Sequence, residues 1–166
     1  MLWGWRGRAV PAVSGGWLGS AVASGVRPYR EGVSIGDAFA RLRAAADDGR
    51  LEAVCRARGV RLLTLFGSAV RDVEHARDLD VAVSLAADAD LLGLVGDLLD
   101  LAGTDLVDVM VLDGASPTAR RNGLGAAVPL FEADAGLFAR TQMSAALEFY
   151  ETAWLRRLDL ERMAGR

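Results

Sequence analysis

The segment that most constrains this chain is Leu65-Phe66-Gly67-Ser68-Ala69-Val70-Arg71, followed closely by Asp78-Leu79-Asp80-Val81-Ala82-Val83. Val60 to Phe66 is apolar apart from Arg61 and Thr64, which reads as a buried strand. The Gly67-Ser68 turn should then open a short helix through Arg71. From Asp78 to Ser84 the residues alternate: Leu79, Val81 and Val83 face one way, and Asp78, Asp80, Ala82 and Ser84 the other. Strand-like and helix-like segments that alternate along the chain make an α+β (α/β mixed) fold the expectation.

Residues two apart on a strand project from the same face, so Asp78 and Asp80 point together. Two like charges that close repel, and each tends to hold its proton. A divalent cation removes that conflict, and carboxylate oxygens suit magnesium. The bland alternative is a solvated strand edge, where exposed acids cost little. A third acid, Asp108, stands alone in Leu106-Val107-Asp108-Val109-Met110-Val111-Leu112, apolar on both strand faces. Burying an unpaired carboxylate costs several kcal/mol or more, so a buried Asp108 would need a partner. The candidates are an arginine, backbone amides, or the metal held by Asp78 and Asp80. Asp105, at the strand start, is a weaker candidate because exposure is easy there.

Gly67 lets the backbone approach a ligand closely. The first free amides of the following helix favour an anion. Ser68 adds a hydroxyl donor, and Arg71, one turn on, can reach a phosphate oxygen. A Gly-Ser pair alone is usually an ordinary turn, and a lone arginine is usually a solvated charge. The combination with two same-face acids and a third acid is what carries specificity. The glycine-lysine signature of the nucleoside-triphosphatase P-loop is absent.

The 166 residues suit one domain with a sizeable core. A net charge of -3 argues against an extended nucleic-acid surface. Cys55 is the only cysteine, so no internal disulfide forms, and a reducing, cytoplasmic setting is expected. It lies on the apolar side of a short helix and reads as a small core residue. No apolar stretch reaches the ~18 residues of a membrane span. Residues 1–33 differ from the rest: Trp3, Trp5 and Trp17 sit among Gly, Ser, Arg and Pro. The apolar portion from Trp17 to Ala23 is broken by Gly19 and Ser20, too short for an export signal. A flexible or mis-assigned extension is the expectation, with the folded domain over 34–166.

Within that domain, Ser34 and Asp37 resemble a capping box before a helix through Ile35, Ala38, Phe39 and Leu42. A second short helix should end at Gly59. An apolar helix is expected over 88–102, a strand over 106–112, and a helix from Ser116-Pro117 to about Asn122. Val128 to Phe131 should form a short strand. From Asp134 onward a long C-terminal helix carries Leu147, Tyr150, Trp154 and Leu158 in one stripe. Packing of that stripe on the domain's own sheet is the expectation, and contact with a partner the alternative. His75, in the polar connection from Asp72 to Arg77, reads as a solvent-exposed loop histidine without a role.

Leu65-Phe66-Gly67-Ser68, Arg71, Asp78-Leu79-Asp80 and Asp108 resemble the core of the DNA polymerase beta-type nucleotidyltransferases. Within them the chain looks most like the minimal nucleotidyltransferases (MNT), the antitoxin half of HEPN/MNT toxin–antitoxin pairs. Pro129-Leu130-Phe131-Glu132 is similar to the family's closing strand, and the likeness covers residues 35–160. The resemblance implies a small nucleotidyltransferase fold, a mixed central β-sheet flanked by helices, with Asp78, Asp80 and Asp108 as catalytic and metal-binding residues for two Mg2+ ions. It also implies that Gly67, Ser68 and Arg71 bind the nucleotide. ATP would be the donor, and a tyrosine hydroxyl on a HEPN toxin, with which the chain could form an oligomer, the acceptor. Two other functions are weighed beside it: a non-catalytic antitoxin that acts by direct binding, and nucleotidylation of a small molecule. The absence of a second substrate domain disfavours the latter.

The chain departs from the family in three places. Nine residues separate Ser68 from Asp78, where ten are usual; Asp72 replaces a frequent glycine; and Arg77 stands where serine is common. Arg77 could pair with Asp78 and weaken metal binding.

Overall fold

The computed structural model of the chain describes residues 32–165. The expectations for the tryptophan-containing extension lie outside the described residues, except at Gly32 and Val33. The first helix, α1 (Ile35–Asp47), starts where the sequence signals it: Ser34 Oγ accepts from the Asp37 amide at 3.1 Å and donates to Asp37 Oδ2 at 2.9 Å. Asp48 and Gly49 interrupt the chain before α2 (Arg50–Ala57), and Gly59, at φ +71°, turns it into β1 (Val60–Phe66). Then come α3 (Ser68–Arg71), β2 (Leu79–Leu85), α4 (Leu91–Ala102), β3 (Val107–Val111), α5 (Pro117–Gly125) and β4 (Val128–Glu132). The chain closes with α6 (Leu137–Glu151) and α7 (Ala153–Met163).

The strands form one mixed sheet in the order β3-β2-β1-β4. β1 pairs antiparallel with β2 and β4, while β2 and β3 run parallel through the α4 crossover. Pro129 is accommodated because β4 is an edge strand. Both faces of β1 and β2 are covered. Leu63, Leu65, Leu79, Val81 and Val83 pack with α1, α2 and α4. Leu62 and Ala82 pack with Leu124 of α5 and Ala145 of α6. Leu42, Leu94 and Leu98 are fully buried, each contributing about 1.5–3 kcal/mol relative to an exposed side chain. Cys55 belongs to the same core, where burial first and Glu52 second push its thiol up to about 12.

On the other face, α5 is fixed closely against the sheet. Thr64 Oγ1 donates to the Gly123 carbonyl at 3.1 Å, and a Cβ at Gly123 would come within 3.1 Å of Ala82 Cβ. Gln142 Nε2 of α6 donates to the Leu124 carbonyl at 2.6 Å, tying α6 to the end of α5. These bonds fix which residues of α5 and α6 line the site.

Two expectations are corrected. The C-terminal helix is not continuous from Asp134: α6 begins at Leu137 after Gly136, and Thr152 separates it from α7. Thr152 Oγ1 bonds the Glu148 carbonyl at 2.6 Å, a side-chain competition that bends helices. Nor does the stripe pack on the sheet. Leu147 and Tyr150 of α6 are 55% and 66% exposed, and Trp154 and Leu158 of α7, which packs chiefly on α6, are 61% and 41% exposed. No described helix is long and apolar enough to cross a membrane.

Candidate active site

Gly67 ends β1 at φ +77°, ψ -149°, a conformation that suits glycine alone. A side chain there would collide with the Asp80 carboxylate, coming within 2.7 Å of its Cγ. Gly67 thus serves the acid directly, by giving the Asp80 carboxylate room at the turn. The following α3 is a single turn of four residues, closed by the Asp72 amide on the Ser68 carbonyl at 2.8 Å. So short a helix has little macrodipole, which leaves the Ser68 hydroxyl and Arg71 as the groups of this corner that could meet an anion.

Asp80 pairs with Phe66 across the antiparallel ladder and with Asp108 across the parallel one. Paired residues of a parallel ladder share a face, so Asp80 and Asp108 rise side by side from the α5/α6 side of the sheet. Asp78 precedes Asp80 by two residues, just before β2. Asp80 holds its proton more tightly than an ordinary aspartate, chiefly through burial and then through repulsion by Asp78 and Asp108. The Ser68 amide and the charge of Arg71 oppose that rise.

One part of the sequence expectation is overturned. Asp108 is exposed rather than buried, because β3 is the outer strand of the sheet and leaves this end of its face open. The cost of an orphaned buried charge therefore does not apply to it; its register with Asp80 is what links the two.

The three acids are not preassembled: among the described residues, no group of three or more His, Cys, Asp or Glu side chains is gathered to hold an ion. The donor set itself fits a hard divalent cation, with oxygen ligands only and an Asp80 that its neighbours disfavour in the ionised form.

Arg77 is exposed and makes no ion pair with Asp78 among the described residues. His75 is exposed and its Nδ1 lies 2.9 Å from Asp72 Oδ2, in keeping with a surface loop.

A cleft of about 840 Å3 opens beside the Gly67 corner, between it and the α5/α6 pair. Gly67 and Arg71 form one wall; Arg121, Asn122, Gln142 and Tyr150 stand on the other side. Two arginines and no carboxylate line it, so cations and the nearby aspartates are segregated about the Gly67 bend. The sequence reading did not single out Arg121 or Asn122 and knew Tyr150 only as part of an apolar stripe. Nothing local marks them, since packing of α5 and α6 brings them to the cleft.

No protein-family model matches the chain, and no curated protein matches it. Solved structures do. A chain of a toxin–antitoxin crystal structure with AMP-PNP matches 71% of this chain over 98% of its own length, with a TM-score of 0.58 and 18% identity. A chain of the toxin–antitoxin MntA-HepT matches 71% over 97% of its own, with a TM-score of 0.54 and 17% identity. At such identities the likeness is one of fold. The mixed four-stranded sheet with helices on both faces is a fold that this chain shares with them.

Proposed function

We propose that this chain is a Mg2+-dependent nucleotidyltransferase that moves AMP from ATP to a protein hydroxyl, as an antitoxin that adenylylates a HEPN toxin. The observation that carries this reading is the register of Asp80 with Asp108 beside the Gly67-Ser68 bend. The fold shared with the toxin–antitoxin chain solved with AMP-PNP supports it. Ser68 and Arg71 bind the phosphates through a hydroxyl and a guanidinium, and Gly67, without a side chain, lets them approach the backbone. Asp78, Asp80 and Asp108 would hold two Mg2+ ions, which would supply neutralisation of triphosphate charge and a lowered pKa for the attacking hydroxyl. Asp108, on the open edge strand, would accept that hydroxyl's proton. The acceptor oxygen bonds to the α-phosphorus as the bond to the bridging oxygen breaks, and pyrophosphate leaves in line. A cytoplasmic setting fits the single reduced, buried Cys55.

Incubation of the full chain with its HEPN partner, Mg2+ and ATP labelled in the α-phosphate tests this. The partner should acquire AMP, and the Asp78→Asn/Asp80→Asn variant should transfer none while keeping its circular dichroism. An unlabelled partner with the wild-type chain contradicts the reading.

The exposed stripe of Leu147, Tyr150, Trp154 and Leu158 favours a second reading, an antitoxin that silences the toxin by contact alone. Neutralisation of toxicity by the Asp78→Asn/Asp80→Asn variant would select it.

A further inference from the structure

We propose that Arg121 is the second phosphate-binding cation of the cleft, alongside Arg71, and that Phe149 is the positioning residue that holds it there. This rests on the nucleotide-binding reading above. Consecutive arginines on α5 have different environments. Arg120 is engaged, its guanidinium 2.6 Å from Glu148 Oε2. Arg121 is exposed, lines the cleft, and has no hydrogen-bond or ion-pair partner among the described residues. Its guanidinium carbon lies 4.7 Å from the centre of the Phe149 ring. An aromatic face orients a cation without consuming its N–H donors, so Arg121 is held in place with its hydrogen-bonding capacity free.

A second cation uses the same ring. The Arg156 guanidinium carbon is 3.7 Å from the Phe149 centre. Arg156 is anchored as well, donating to the Phe149 carbonyl at 2.6 Å and to Thr152 Oγ1 at 2.9 Å. Of the two cations on Phe149, the anchored one belongs to the α6–α7 junction and the unanchored one to the cleft. With Arg71 and Arg121 both lining the cleft and no acid among its lining residues, a polyphosphate complements the site better than a monophosphate.

Binding of AMP-PNP and of AMP to the full chain in Mg2+ tests this by calorimetry. Arg121→Ala should weaken AMP-PNP about 10-fold or more, as expected for loss of a charge-assisted contact, and weaken AMP much less. Phe149→Leu should lose part of the AMP-PNP affinity, and Phe149→Tyr should retain it, with melting temperatures recorded for each. Unchanged AMP-PNP affinity in Arg121→Ala, or an equal loss for AMP, overturns the role of Arg121. Equal affinities in Phe149→Leu and Phe149→Tyr overturn the positioning role. A wild-type chain that binds no AMP-PNP instead removes the nucleotide reading on which both depend.

Discussion

Replacing Asp80 by asparagine should make the protein more stable and inactive. Asp80 is pressed against Gly67, in register with Asp108 and two residues from Asp78. Burial raises its pKa, and the two other acids raise it further. A carboxyl whose folded pKa lies above its unfolded value of about 3.9 binds its proton more tightly in the folded state. The stability it contributes is present below that unfolded value and is lost as pH rises through the folded one, so ionised Asp80 destabilises the fold at neutral pH. Two unit charges on neighbouring strands, about 5 Å apart, repel by roughly 3 kcal/mol at an effective dielectric of 20 and by under ~1 kcal/mol in water. Asp108 is exposed and Asp78 only half-buried, so solvent screening leaves about 1 kcal/mol. For a domain of this size that corresponds to a rise of about 3–5 °C in melting temperature. Asparagine has nearly the same shape and leaves the contact with Gly67 intact. Scanning calorimetry without metal, near pH 7 and near pH 4, checks this: the advantage of Asp80→Asn should shrink at the lower pH. Mg2+ should raise the wild-type melting temperature more than the variant's. A variant less stable than wild type near pH 7, or an advantage that does not shrink near pH 4, would refute the proposed crowding of charge.

Gly67→Ala should cost about 1–3 kcal/mol for the positive φ alone, plus the collision with Asp80, and should abolish AMP transfer; denaturant melts and the labelling assay report the two effects. Gly123→Ala should destabilise by about 1–3 kcal/mol through overpacking of α5 against Ala82 and Met110, read from urea unfolding. A chain ending at Thr152 should melt within about 2 °C of wild type, because α7 buries no residue; a fall well beyond that would show that α7 supports the core.

The stretch from β1 to β2 was legible because its signals are local. A continuous apolar run marked a strand covered on both faces, Gly67 marked the turn, and alternation put Asp80 on the face opposite Val81. Ser34 and Ser116 gave two helix starts for the same reason, each bonding the amide three residues on. Asp108 was misjudged because its burial depends on strand order: the same apolar run would be enclosed in a central strand and is half open at the edge. The stripe from Leu147 to Leu158 has the pattern of a core-facing helix, and only the assembled fold shows that no other element among the described residues covers it. Thr152 gave no warning of a break, since threonine in a helix usually passes unremarked. Arg121 and Phe149 could not be joined by reading along the chain, because their contact depends on how α5 packs on α6.

The central claim is that Asp78, Asp80 and Asp108 converge on divalent ions beside the phosphates of a nucleotide held at the Gly67 corner. Anomalous scattering from crystals grown with Mn2+ and AMP-PNP tests it most directly. The account predicts manganese peaks liganded by oxygens of all three aspartates, with the phosphates against Gly67, Ser68 and Arg71. Nucleotide bound in the cleft with Asp108 turned away from every manganese, or with no manganese on the aspartates, would contradict it.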